Sequence, residues 1–98
     1  MFISLILHAD PPKIKELTTS NSSSFIGQHV IFCCYSDGNP PPTYRWIFPN
    51  GNFLSQNGKC LDVELNTGHN FGDYSCVVSN ANGNDTETAN IRQLCKYI

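Results

Sequence analysis

Apolar side chains recur at every second position in short runs along this chain, and clusters of Gly, Pro, Asn and Ser separate the runs. Val30, Phe32 and Cys34 alternate within Gln28–Ser36, as a strand with one buried face requires. Tyr44, Trp46 and Phe48 alternate within Thr43–Phe48, which sends Arg45 and Ile47 to the opposite face. Leu61, Val63 and Leu65 point inward from Lys59–Leu65, with Cys60, Asp62 and Glu64 outward. Tyr74, Cys76 and Val78 share the core face of Gly72–Asn80. Lys13–Leu17 reads as an edge strand, Asn52–Ser55 as a short returning strand and Asn84–Leu94 as the last one.

Turn chemistry fills the intervals. Asp37–Pro42 (DGNPPP), Pro49-Asn50-Gly51, Asn57-Gly58 and Ala81-Asn82-Gly83 each favour reversal. Pro11 and Pro12 lack the N–H a sheet ladder needs and mark the entrance to the domain. Thr18–Ser24 reads as a polar loop without packing content. Short strands at regular spacing, with no amphipathic helix between them, predict an all-β sandwich.

Ninety-eight residues allow one domain. A chain of this size buries only about 60–70% of its unfolded surface, so covalent staples help it. A net charge of −2 without a basic run argues against nucleic acid as a partner. Five cysteines in so short a chain point to an oxidising compartment, and the lack of a C-x-x-C pair or paired histidines argues against a zinc site or any other metal. Neither a phosphate-binding loop nor a nucleophile elbow is present, so no enzyme activity, catalytic residue or cofactor is expected. No stretch approaches the roughly 20 apolar residues of a membrane span. The apolar Met1–Ala9 reads as the end of a preceding domain's last strand or a linker, with a degenerate signal segment as the alternative. Residues 95–98 form a tail, and their Cys-Lys-Tyr-Ile sequence is a poor prenylation box because Lys96 is not aliphatic.

Three stretches together resemble the immunoglobulin superfamily, intermediate or C2 type, as found in cell-adhesion receptors. They are Gly27-x-x-Val30-x-Phe32-x-Cys34, Asp37–Trp46 with its Pro40-Pro41-Pro42 run, and Asn70-x-Gly72-x-Tyr74-x-Cys76. The resemblance spans residues 11–94. It departs from the family pattern at Asn70, where Asp is usual and commonly pairs with an Arg. The Cys34–Cys76 interval is too short for the extra strands of a variable-type domain.

The resemblance implies a Greek-key sandwich of two antiparallel sheets, pinned by a Cys34–Cys76 disulfide. Trp46 would lie across that bond, Gly72 would open the strand, and Tyr74 would form a tyrosine corner. It also sets Cys33 and Cys60 opposite one another on neighbouring strands, either as a second disulfide or as two free thiols. Cys95 is left over, for a bond to another domain or chain or as a free thiol in the tail. Two glycosylation sequons, Asn21-Ser22-Ser23 and Asn84-Asp85-Thr86, agree with an extracellular location. The implied function is protein–protein recognition or adhesion at the cell surface, homophilic or heterophilic, by a module flanked by further immunoglobulin-like domains. Arg45 and Ile47 are the candidate partner contacts. The alternatives are a spacer in an extracellular-matrix or muscle-type array, or a secreted single-domain binder.

Overall fold

The computed structural model describes residues 9–56 and 58–95, so the expectations for residues 1–8, for Asn57 and for residues 96–98 lie outside it. Eight strands are present among the described residues: β1 (Asp10–Thr19), β2 (Ser23–Ser24), β3 (His29–Asn39), β4 (Thr43–Ile47), β5 (Phe53–Gln56), β6 (Cys60–Glu64), β7 (Gly72–Asn80) and β8 (Gly83–Gln93). They form a three-stranded sheet, β1-β3-β6, and a five-stranded sheet, β2-β8-β7-β4-β5. The chain is an all-β sandwich.

The core lies between the sheets and is built from the alternating residues. Val30, Phe32 and Cys34 from β3 meet Tyr44 and Trp46 from β4 and Tyr74, Cys76 and Val78 from β7. Phe32 is the centre of an aromatic group, with its ring 4.7 Å from that of Tyr74 and 6.0 Å from that of Trp46. Full burial of such rings is the largest local source of hydrophobic stabilisation. Leu61, Leu65 and Ile91 close the core, and Val63 and Phe48 pack against it half-buried.

Four sequence expectations need correction. β1 starts at Asp10 and runs through Pro11 and Pro12, where an interruption of the ladder was expected. β1 has one ladder neighbour, and its register with β3 slips between Asp10 and Lys13, so the missing N–H groups fall at an irregularity. Thr18–Ser24 is not wholly loop: Thr18 and Thr19 end β1, and Ser23–Ser24 form β2. Ser24 is 2% exposed and donates its hydroxyl to Gln28 Oε1 at 3.0 Å, which satisfies a buried polar group. β2 pairs with β8 in parallel, so the second sheet is mixed. β3 continues to Asn39, three residues past the expected end, because Lys13 and Asp10 on β1 still offer it partners at Asp37 and Asn39.

One polar contact ties the sheets together along the β1–β8 side. Asp85 Oδ2 on β8 accepts from the Ile14 N–H on β1 at 2.8 Å, and Oδ1 accepts from the Thr86 N–H. These bonds to the ionised form, the Ile14 bond foremost, hold the Asp85 carboxyl below its ordinary range. A carboxyl depressed in the folded state contributes stability that is present above its unfolded pKa and is lost as pH falls through the folded one. Asp85→Asn is therefore expected to cost about 1 kcal/mol at neutral pH, the usual value of one such bond. The difference between variant and wild type should close in strongly acidic solution. Urea midpoints at both pH values check this; an equal gap at both would remove the ionic account.

Candidate functional site

Strand pairing sorts the singled-out residues into a scaffold and two outer faces. Within the scaffold, Cys34 and Cys76 are bonded, with Cα atoms 6.6 Å apart, and both are fully buried. Trp46 stands directly opposite Cys76 across the β4–β7 ladder, so its indole and the disulfide share one core face. Among the described residues the Trp46 Nε1–H has no hydrogen-bond partner. The Tyr74 hydroxyl donates to the Asn70 carbonyl at the 3₁₀ turn Gly68–Asn70, closing a corner over the end of β7. Burial pushes the Tyr74 phenol above its usual range. Gly72 has φ +127°, and a Cβ there would come 3.2 Å from Cβ of Pro49, so both backbone conformation and space call for glycine.

Asn70 shows what its departure from the family pattern does. Its Oδ1 accepts from the N–H groups of Asn66 and Thr67, each at 2.9 Å, and so caps the turn that receives the tyrosine. The ion pairs among the described residues, Lys15–Asp37 and His29–Asp62, do not involve this turn.

The outer face of the three-stranded sheet carries the second disulfide. Cys33 and Cys60 are register partners on β3 and β6, 4.0 Å apart at Cα, and are bonded. Ile31 and Tyr35 flank Cys33 on the same face, both exposed. His29 Nδ1 lies 3.0 Å from Asp62 Oδ1, and that hydrogen bond, with the nearby Asp62 and Glu64 charges, holds the imidazole above its ordinary pKa. Among the described residues no three His, Cys, Asp or Glu side chains group as a metal site. Cys95 is an exposed free thiol just beyond β8.

The outer face of the five-stranded sheet has a different character. Arg45 and Ile47 project from β4, and Phe53 on β5 is the register partner of Ile47. The Arg45 guanidinium lies over the Phe53 ring, 5.1 Å from its centroid. Phe53 is 61% exposed, the highest value among the exposed large hydrophobic residues. Val77 on β7 stands beside Arg45 and is half-buried. The pairing holds a cation, a bare aromatic ring and two aliphatic side chains together at a sheet margin whose last strand is β5. Sequence reasoning missed Phe53. Counting back across the Pro49-Asn50-Gly51 hairpin from Ile47 was the signal that places it on the outer face.

Comparison with known proteins agrees with this architecture. The family profile described as immunoglobulin domain matches residues 11–80, and the chain belongs to that family. Human leucine-rich repeat and immunoglobulin-like domain-containing nogo receptor-interacting protein 3 is 33% identical over 89 residues, covering 82% of this chain and 15% of that protein. The amphioxus IgVJ-C2 molecule superposes with a TM-score of 0.74 at 29% identity, over 84% of this chain and 44% of that one. The complex of Dpr2 Ig1-Ig2 with DIP-Theta Ig1-Ig3 contains a match of TM-score 0.71 at 26% identity, over 87% of this chain and 32% of that one. The chain thus spans about 15% of the length of the curated relatives it matches first.

Proposed function

We propose that this chain is an extracellular immunoglobulin-like module of a longer cell-surface protein, and that it recognises a protein partner through the β4–β5 margin of its five-stranded sheet. The observation that carries this reading is the Arg45–Phe53 pair, an exposed aromatic ring under a guanidinium beside Ile47. Arg and aromatic residues are the types that most often dominate binding energy at protein interfaces. Two disulfides favour an oxidising compartment. The matched relatives include one named for interaction with a receptor and a structure that is a complex between two immunoglobulin proteins. A spacer domain would have no call for an uncovered Phe53, so recognition is preferred to that reading.

The test is a screen of the secreted chain against an array of secreted ectodomains that includes the chain itself. Each hit is measured again with Arg45→Glu and with Phe53→Ser. Each substitution is expected to weaken binding by at least about 30-fold, the level of an interface hot spot, with thermal stability unchanged. Binding that survives both substitutions but is lost with Ile31→Ser or Tyr35→Ser would move the contact to the other sheet and overturn the assignment. The homophilic pair in the same array decides between self-recognition and a second protein.

A further inference from the structure

β5 differs from the other margins of the two sheets. Among the described residues the marginal strands are β1 and β6 in one sheet and β2 and β5 in the other. β1 carries Pro11, Pro12 and slips in its ladder, β6 carries Asp62 and Glu64, and β2 is only two residues long. Proline, irregular register, charge and shortness are the usual means by which a sheet edge is kept from pairing with another chain. β5 has the sequence Phe-Leu-Ser-Gln, with neither proline nor charge, and its ladder with β4 runs without a slip.

Two adjacent residues show what this edge accepts. Phe53 is 61% exposed and Leu54 42%. Successive strand residues point to opposite faces. Phe53 stands opposite Ile47 on the outer face, whereas Leu54 stands opposite Trp46 on the core side and yet lies outside the core cluster. A partner lying flat on the outer face covers Phe53 and leaves Leu54 bare. One that adds to the edge of the sheet reaches both.

The backbone sets the register of such an addition. The Phe48 N–H donates to the Asn52 carbonyl at 2.8 Å, and these residues form the next pair along from Ile47 and Phe53. Bonded and non-bonded pairs alternate along an antiparallel ladder. Ile47–Phe53 and Arg45–Ser55 are therefore the non-bonded pairs, so the N–H and C=O groups of Phe53 and Ser55 point away from β4. Two copies of this edge, antiparallel about a two-fold axis, pair Phe53 of each with Ser55 of the other, each pair exchanging both bonds. Leu54 then faces Leu54 of the second copy across the axis. On the outer face the row of Arg45 and Ser55 continues into Phe53 and Ile47 of the second copy.

We infer that β5 pairs edge to edge with β5 of a second copy of this chain, joining the two five-stranded sheets into one. The inference rests on the recognition reading above and deepens it, making the contact homophilic and giving its geometry. A second copy fits because the edge complements itself. It is uncharged, so self-pairing sets no like charges side by side, and its free donors and acceptors match their own antiparallel image. The two-fold contact uses both edges and closes, so it does not propagate into a fibre. Neither sequon lies on this edge. Asn84 shares the outer face but stands on β8, about 14 Å or three strand spacings away. Asn21 follows Ser20, which bonds the backbone of Ile31 in the other sheet. A contact this small is expected to be weak, with a dissociation constant of about 10–100 μM, and to gain strength where many copies meet.

The experiment is sedimentation of the secreted, disulfide-bonded chain against concentration. A monomer–dimer equilibrium is expected. Leu54→Lys sets two cations face to face, and Ser55→Pro removes an outward N–H without touching the ladder with β4. Each should weaken self-association at least about 10-fold, with circular dichroism and thermal midpoint unchanged. A second arm uses the Cys95→Ser background, which removes the free thiol. There, Leu54→Cys is expected to cross-link to its own copy on mild oxidation, since facing non-bonded residues lie about 4.5 Å apart at Cα. Phe53→Cys is not, because residue 53 of one copy lies about 9 Å from residue 53 of the other in this register. Cross-linking at 53 and not at 54 overturns the inference, and so does a chain that stays monomeric to about 1 mM. In the monomeric case the recognition reading stands on any second protein bound through Arg45 and Phe53, and falls if the ectodomain array yields none. Self-association lost with Arg45→Glu but untouched by Leu54→Lys and Ser55→Pro would overturn the edge pairing alone and keep recognition on the outer face. Should Ser55→Pro fail to fold, Leu54→Lys and the cross-linking arm decide.

Discussion

Replacing Cys34 and Cys76 together with alanine should lower the unfolding free energy by about 4 kcal/mol. The bond closes a sequence interval of 42 residues, and the loop-entropy relation gives about that value for such a loop. Set against the 5–15 kcal/mol usual for a whole domain, the loss is large enough to leave a substantial unfolded fraction near body temperature. Replacing both residues avoids a buried unpaired thiol, so the effect reads the cross-link and the space it fills. The Cys33–Cys60 bond closes an interval of 27 residues lying almost wholly inside the first, between strands already held in register by the β3–β6 ladder. Its removal is expected to cost clearly less. Urea unfolding of both double variants checks the order, and a larger loss from Cys33 and Cys60 would show that the outer bond is the main staple.

Trp46→Ala is expected to cost about 3–5 kcal/mol, the range for truncating a buried aromatic residue. Trp46 is fully buried opposite Cys76 and beside Phe32, so neither water nor a flexible neighbour fills the space it leaves. Trp46→Phe separates packing from polarity. It keeps most of the apolar contact and removes a buried N–H without a partner, a group that costs about 1–3 kcal/mol when left unpaired. The Phe variant is therefore expected to lose less than about 2 kcal/mol, the Trp–Phe area difference being partly offset. Unfolding followed by circular dichroism measures both variants, since the chain's single Trp is absent from each. Equal losses for Phe and Ala would mean that the indole N–H has a partner in solution.

The scaffold was legible because it follows local rules. Alternation at i and i+2 identified the core faces of β3, β4 and β7, and the same parity put Cys34 inside and Cys33 outside. The Tyr74 corner and Gly72 at the start of β7 were legible through the resemblance, which a few consecutive residues carry; the positive φ of Gly72 came from the structure. Where local rules misled, a long-range contact had prevailed. Two prolines sit inside β1 because an edge strand tolerates them, and being at the edge is a property of the sheet. Ser24 is buried because β8 runs alongside it, 69 residues away at Gln93.

By itself, then, the sequence determined the number and phase of the main strands, the identity of the core and the family to which the chain belongs. Only the tertiary structure decided which outward residues became neighbours. It placed Phe53 under Arg45, and it bonded Cys33 to Cys60, which the resemblance had set opposite one another as either a disulfide or two free thiols. The physical reason is that periodicity states which face a side chain takes, whereas strand order and register state what lies across from it. Those are set by the packing of the whole sandwich.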